Sequence, residues 1–420
     1  DAQNGSLFTK VRFKNNIFLR FLEVLAPQSL ILRKMKMDAE RTKLYGEIGR
    51  TIGDTPLVQY GGQVSNDNSI WVKKEFDNPF GSHYDRVYLA LFRAHEEKGE
   101  IRPGDKVLET SSGAAGVSFA GIGKLLGYEC FVALPAGGER ARERAITEQL
   151  RDEDHLILTP AENYVSGFPG FLRDFLPRHR DHYFLNHSMG ARDSSGHPTN
   201  NETTLNALRN IAKEAAGEED FNYFIPAVGN GSSVLGPGRH FHDLTERLTG
   251  VVGGLMEEPS SFGRIGMVDV ESALQYIDEV RTRIVPFETF QSAVMYGLKY
   301  PGRYEIEFGM KPGSLSRHSL PGTSFQGIDF PHIGNSVANG LVDDVVLVSD
   351  RTMDREYTDK TGRDDSTRLV HWDAPINGSE NEEFGRTTLA GINVALRLAE
   401  NVGGKNFLVI GYDKADRYDS

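Results

Sequence analysis

Four stretches of this sequence carry residues whose types and spacing could do chemistry. In residues 71–86, WVKKEFDNPFGSHYDR, an apolar strand runs into two lysines and a glutamate, then into Asn-Pro and Gly-Ser turn chemistry. His83, Tyr84 and Asp85 therefore stand where a strand hands over to a helix, and N–H groups exposed at such a start favour anions. A phenol beside an imidazole can donate or relay a proton, although an aromatic at a helix start can equally be packing under the loop. Residues 109–116, ETSSGAAG, put Thr110, Ser111, Ser112, Gly113 and Ala114 ahead of another helix. They form either an anion-holding loop or an ordinary cap. In residues 228–236, VGNGSSVLG, Gly229, Asn230, Gly231, Ser232 and Ser233 combine close backbone approach with hydroxyl donors suited to a phosphate. In residues 411–418, GYDKADRY, Lys414 either lies in solvent or pairs with a bound anion.

The elements that must position these loops alternate. Val87, Leu89, Ala90, Leu91 and Phe92 give the first helix its apolar side, and DKVLE, CFVALP, HLILTP and FNYFIP read as buried strands. Between them SGAAGVSFAGIGKLLG, the strongly charged ERARERAITEQL and TTLNALRNIAKEAAG read as helices. Strands alternating with helices imply right-handed βαβ units and a mainly parallel sheet. The 420 residues exceed one small core and suit two lobes, and 39% hydrophobic with 25% charged residues is an ordinary globular composition. A net charge of −12 argues against nucleic acid or an anionic membrane as partner. No apolar run is long enough to span a bilayer. One cysteine, Cys130, in a buried strand excludes a disulfide framework and fits the cytoplasm. His240 and His242 sit in a helical pattern and are not read as a metal pair, so no metal is expected. Residues 1–46 begin basic and amphipathic and form an arm or extension, which leaves 47–420 as the body.

From residue 47 onward the ordered motifs resemble one family. IGDTPLVQY, the opening stretch, ETSSGAAG, VGNGSSVLG, QGIDFPHI and GYDKADRY resemble the cysteine synthase and cystathionine β-synthase branch of the tryptophan-synthase-β-like pyridoxal phosphate (PLP) enzymes. The resemblance implies a fold type II α/β body: two lobes, mainly parallel sheets with helices on both faces, the smaller lobe roughly 85–200 inserted in the larger. It also implies a homodimer. The family pattern K-x-E-x-x-N-P-x-G-S-x-K-D-R places the lysine that forms the Schiff base on Tyr84. The Asn that meets the cofactor's phenolic oxygen falls on Ala114, and the Ser facing the pyridine nitrogen falls on Lys414.

These replacements lead to the expectation of a divergent, PLP-independent lyase or transferase acting on a small anionic, amino-acid-like substrate. No cofactor is expected, and any PLP would lack a covalent lysine link. Thr110, Ser111, Ser112, Gly113 and Ala114 would hold the substrate's carboxylate, Gly229 to Ser233 a second anion, and Tyr84, helped by His83 or Lys414, would move the proton. Two alternatives stand beside this: an inactive homologue serving as sensor or partner subunit, and a PLP-dependent β-elimination or β-replacement enzyme with atypical cofactor binding.

Overall fold

The computed structural model describes residues 38–257, 270–316, 320, 322–323, 326–364, 368–377 and 383–418. The basic part of the N-terminal extension, residues 1–37, lies outside them. Among the described residues twelve strands form three sheets: β1 (Leu57–Gln59), β2 (Ser69–Lys73), β3 (Lys106–Thr110), β4 (Glu129–Pro135), β5 (Leu156–Thr159), β6 (His182–Phe184), β7 (Tyr223–Ile225), β8 (Arg283–Ile284), β9 (Phe287–Thr289), β10 (Val346–Ser349), β11 (Val370–His371) and β12 (Asn406–Ile410). The smaller lobe is built on the order β5-β4-β3-β6, all parallel. The larger lobe is built on β1-β2-β12-β7-β8, where only β1 runs antiparallel, together with the parallel three-stranded sheet β11-β10-β9. A bridge between Ala227 and Phe287 joins the two sheets of the larger lobe. The expected mainly parallel α/β architecture is the one observed.

The strand sequences explain the arrangement. Parallel strands covered by helices on both faces are apolar almost throughout. In β12, Phe407, Leu408, Val409 and Ile410 have no exposed surface, and in β4 Val132 and Ala133 have none either. Helix Tyr84–Glu97 buries Val87, Tyr88, Leu91 and Phe92, the i, i+1, i+4, i+5 positions of a single face. Helix Glu202–Ala215 is capped by Asn201, whose side-chain oxygen accepts from the N–H of Thr204, and it buries Leu205, Leu208, Ile211 and Ala212. Burying each such Leu, Ile or Phe side chain contributes roughly 1.5–3 kcal/mol. Helix Ala39–Gly49 crosses the expected boundary at residues 46–47. Its Arg41 and Tyr45 bind Glu96, at 2.7 and 2.8 Å, so the body includes this helix. No helix among the described residues is long and apolar enough to cross a membrane.

A cluster of buried charge ties the first motif to the larger lobe. Glu75, with no exposed surface, accepts two bonds from Arg86 at 2.7 and 2.8 Å, one from Thr55 at 2.7 Å and one from Asn78 at 3.0 Å. Arg86 continues to Glu214 at 2.7 Å on helix Glu202–Ala215, and Glu214 also pairs with the buried Lys73 at 3.0 Å. Removing one partner of such a cluster strands a charge in a dry site. Glu214→Ala is expected to lower stability by about 3 kcal/mol, read as a fall in the urea midpoint. Lys43→Ala, which deletes an exposed pair with Glu47, should leave the midpoint in place. Equal effects of the two substitutions would remove the buried cluster from the account of stability.

Candidate functional site

Between the lobes lies a cleft of about 680 Å³. It opens at the C-terminal ends of the parallel strands, where open α/β sheets place their ligands. The smaller lobe contributes Thr110 to Ala115, Arg142, helix Phe168–Phe175, and Asn186 to Ser188. The larger lobe contributes His83, Tyr84, Ala227, Gly229, Asn230, Ser233, Thr323, Tyr412 and Asp413. Much of the wall is apolar, with Val165, Phe168, Leu172, Leu176, Ile328 and Phe330 facing it. The sequence-derived residues of the first three motifs therefore converge on one cavity, except that Gly231 and Ser232 stand behind its lining.

Tyr84 opens helix Tyr84–Glu97, with Ser82 Oγ accepting from its N–H at 3.1 Å. Its ring leans on His83, 4.1 Å between centroids, and meets the edge of His187 at 5.2 Å. Burial, and secondarily the negative charge of Glu109, push the Tyr84 phenol well above its ordinary pKa. At neutral pH it keeps its proton, which suits it to donate a hydrogen bond and not to act as a base. His83 is held neutral: burial first, then His187 and Arg86, bring its pKa down to about 3. Its Nε2 lies 3.2 Å from Ser233 Oγ, which links the first motif to the glycine-rich loop.

The two anion loops differ in what they leave free. Ser111 is spent internally, because its Oγ donates to Gly113 O and accepts from the N–H groups of Gly113 and Gly116, at 3.1, 3.0 and 2.7 Å. The N–H of Thr110 goes to Glu109 and that of Ser111 to Ala133 O. The groups left for a ligand are the N–H of Ser112, Ala114 and Ala115 and the Ser112 hydroxyl. Gly113 has to be glycine here: φ is +159°, and a Cβ would lie 2.6 Å from Arg142 Nη1. In the second loop Ser232 is spent on Asn230 Oδ1, through its N–H at 2.9 Å and its Oγ at 2.6 Å. The N–H groups of Gly231 and Ser233 remain, at the start of helix Ser232–Glu257. At Gly231 φ is +86° and a Cβ would meet Ile333 N at 2.7 Å.

Lys414 is placed elsewhere. Its ammonium sits 3.2 Å from Asp77 and 5.3 Å over the Phe76 ring, two-fifths exposed, so it does not join Tyr84 and His83 as expected. The preceding residue, Asp413, takes the inward position. It is buried, accepts from Arg142 Nη2 at 2.8 Å and from the Tyr418 hydroxyl at 2.9 Å, and burial raises its pKa against the pull of Arg142. The guanidinium groups of Arg142 and Arg386 both stand over the Tyr418 ring, at 4.5 and 4.7 Å, and Arg386 reaches Glu139 at 2.6 Å. No lysine lines the cleft among the described residues. Lys73 is bound to Glu214 and the Thr55 carbonyl, and Lys74 to Glu383 at 2.7 Å. His242, Asp243 and Glu246 bring ligand atoms within 4.8 Å of one another on the outside of helix Ser232–Glu257, away from the cleft lining, and Arg209 binds Asp243.

Sequence reasoning missed Arg142, Glu109, His187 and Ser188. Arg142 lay in a helix read only as strongly charged, although Arg142, Ala145 and Ile146 share one helical face and all are buried. Glu109 stands next to last in a buried strand, an unusual place for an acid, and that was the available signal. Its Oε1 accepts from Thr110 N at 2.8 Å and its Oε2 from His187 N at 3.1 Å.

The sequence profile of the family described as "pyridoxal-phosphate dependent enzyme" matches residues 48–300, more than half of the chain. Cysteine synthase B of Escherichia coli is 28% identical over 213 residues, 50% of this chain and 66% of that protein. A cysteine synthase of Staphylococcus aureus is 27% identical over 193 residues, 46% of this chain and 59% of that protein. The chain thus spans two thirds or less of these curated relatives. Among solved structures, a hydrogen sulfide-producing enzyme of Fusobacterium nucleatum aligns over 89% of this chain and 99% of its own, with TM-score 0.61 and 20% identity. A cysteine synthase of Entamoeba histolytica aligns over 91% and 92%, with TM-score 0.59 and 20% identity. These likenesses extend the fold match. The profile match corrects the expectation that no cofactor is used, since the matched family is one of PLP-dependent proteins.

Asp85, next to Tyr84, gives the site a pH signature. Its carboxyl accepts from Phe80 N at 2.7 Å, but burial outweighs that bond and its pKa is pushed up from 3.8 to about 7. The folded state holds this proton more tightly than the unfolded one. The resulting stability is complete below the unfolded pKa near 4 and is lost as pH rises to about 7. Melting temperature followed across this window should decline in the wild type and flatten in Asp85→Asn. Parallel curves for the two proteins would contradict the raised pKa.

Proposed function

Because the chain belongs to the pyridoxal-phosphate dependent enzyme family, we propose that it binds PLP in this cleft through the phosphate, without a covalent bond to a lysine. It then acts by β-elimination or β-replacement on a small amino acid. The observation that carries this reading is the composition of the cleft wall, which holds the glycine-rich loop and the hydroxyl-rich loop together but, among the described residues, no lysine. The residues suit the cofactor's anionic end: Gly231 and Ser233 offer free N–H groups at a helix start, in a loop packed so tightly on the backbone of His332 and Ile333 that a Cβ at 231 would displace it. They do not suit covalent attachment, because Tyr84 stands at the lysine position of the family pattern and a phenol cannot form an imine.

When bound, the cofactor supplies an electron sink for charge developing on an amino acid. The chain's own residues hold and orient. The N–H groups of Ser112, Ala114 and Ala115 take the substrate carboxylate. Tyr84, protonated at neutral pH, donates a hydrogen bond into the cleft, and neutral His83 fixes Ser233 beside the phosphate loop. Phe168, Leu172 and Phe330 exclude water from the side facing them. The names of the relatives, cysteine synthases and a hydrogen sulfide-producing enzyme, support chemistry at the β-carbon. A cytoplasmic homodimer belongs to the same proposal, supported by the family resemblance and by the buried Cys130.

PLP should raise the melting temperature in proportion to RT ln(1 + [L]/Kd), about 2.7 kcal/mol at roughly a hundred times Kd. Gly231→Val should abolish the rise while leaving a folded, less stable protein. Borohydride treatment of the loaded protein should leave no cofactor mass on any lysine. A reduced cofactor found on a lysine peptide would overturn non-covalent binding, and the absence of any PLP-induced shift would overturn the cofactor site.

A further inference from the structure

One cluster in the cleft takes no part in holding a phosphate or a carboxylate. Ser188 Oγ lies 3.1 Å from His187 Nε2, and His187 Nδ1 lies 3.2 Å from Glu109 Oε2. Glu109 and His187 are both buried, while Ser188 is partly exposed, and His187 and Ser188 line the cleft. The pair is turned inward at the end of β6 by Asn186, whose φ of +57° puts the backbone in the left-handed region. We propose that Ser188, His187 and Glu109 form a nucleophilic triad that hydrolyses a carboxylic ester whose apolar part lies against Phe168, Leu172 and Leu176. This activity is distinct from the PLP-dependent reading and needs no cofactor.

The charge beside the ring favours the working tautomer. With its proton on Nδ1, His187 turns that N–H toward the Tyr88 hydroxyl at 3.0 Å and the Glu109 carboxylate at 3.2 Å and presents Nε2 as the acceptor for the Ser188 hydroxyl. Tyr88 meets the imidazole at Nδ1 and leaves Nε2 to Ser188. A proton on Nδ1 is the arrangement that the neighbouring carboxylate stabilises. Glu109 is fixed in turn by the N–H groups of Thr110 and His187. Asn230 completes the arrangement: Ser232 holds its Oδ1, which turns its Nδ2 toward Ser188 Oγ at 3.2 Å. A donor at that distance from the nucleophile can reach an oxyanion formed on the attacked carbonyl.

The chemistry balances without a co-reactant other than water. Ser188 Oγ bonds to the ester carbonyl carbon while its proton passes to His187 Nε2, and the carbonyl π pair becomes an oxyanion beside Asn230 Nδ2. Collapse of the tetrahedral centre breaks the bond to the alcohol oxygen, which leaves with the proton from Nε2. Water then repeats the attack on the acyl-serine, gives its proton to Nε2 and releases the acid, and the proton returns to Ser188. The apolar wall selects esters with a hydrocarbon acyl or alkyl group.

The full chain as purified should be incubated with an alkyl fluorophosphonate, followed by peptide mass mapping, and assayed in parallel with p-nitrophenyl butyrate. One adduct on Ser188 is expected, together with ester turnover above the buffer rate. Ser188→Ala should lose both, and it should remain folded because His187 keeps its bonds to Glu109 and Tyr88. His187→Gln should slow labelling on the order of a hundredfold, the loss expected for a missing general base. Glu109→Gln, which keeps a polar group beside Nδ1 but not the charge, should slow it by less. An unlabelled Ser188 in the wild type, equal labelling in His187→Gln, or ester turnover that survives Ser188→Ala would each overturn the triad. Because no step uses PLP, such a result leaves the cofactor titration with Gly231→Val to stand or fall separately.

Discussion

The pairing of Glu75 with Arg86 organises the rest of the molecule. Both groups are almost wholly out of water, and the carboxylate is met by Arg86, Thr55 and Asn78 at once. A buried ion pair contributes little net stability, because removing two charges from water costs several kcal/mol that good geometry only offsets. What it does enforce is register. The charges are satisfied only when the end of β2, the loop before β1 and the first turns of helix Tyr84–Glu97 meet in one arrangement. That arrangement sets His83 and Tyr84 at the cleft, with Ser233 opposite. Through Glu214 the same network fixes helix Glu202–Ala215, which packs along helix Ser232–Glu257 behind the glycine-rich loop. The loops can therefore be rich in glycine and still hold their positions, since rigid elements locked by the charge cluster carry them.

The electrostatics inside the cleft follow from this burial. With few water molecules to solvate charge, Tyr84 and Tyr412 hold their protons tightly and His83 stays neutral. The floor beneath a ligand is therefore uncharged and hydrogen-bonding. Fixed charge is kept to the edge, in Arg142 with Asp413 and in Glu109 behind His187. A site of this kind orients polar groups strongly, because low local dielectric strengthens each bond and fixed donors need no reorganisation.

The sequence made some of this readable and concealed the rest for definite reasons. Turn chemistry and periodicity located the strand-to-helix junctions at residues 84, 114 and 232, because backbone constraints on Gly, Pro and Asn are local. The parallel architecture followed from apolar runs that alternate with amphipathic helices. Side-chain partnership across the fold was not readable. Ser111 looked like a ligand donor but turns back on its own loop. Lys414 looked poised for the cleft but points to Asp77, and its neighbour Asp413 goes inward. Arg142 was hidden by the charged residues around it. Its role depends on Asp413, 271 positions away in the chain, and on the Tyr418 ring. The adjacent pair His187 and Ser188 acquires meaning only beside Glu109, which β3 delivers from the neighbouring strand.

The doubled guanidinium contact around Tyr418 has a kinetic consequence. Arg142 and Glu139 belong to the helix that follows β4 in one lobe, whereas Asp413, Tyr418 and Arg386 belong to the other. The bonds from Arg142 to Asp413 and from Arg386 to Glu139, with the aromatic ring between them, therefore act as a latch across one end of the crevice. Parting the lobes at that end means breaking two ion pairs and two ring contacts together, so partial opening brings no relief. Admission and escape at that end would then be paced by unlatching and not by diffusion to the mouth, as in enzymes whose turnover waits on the lifting of a lid. Since Asp413 and Arg142 are shielded from solvent, dissolved salt would loosen this fastening far less than it loosens the ion pairs on the outer surface.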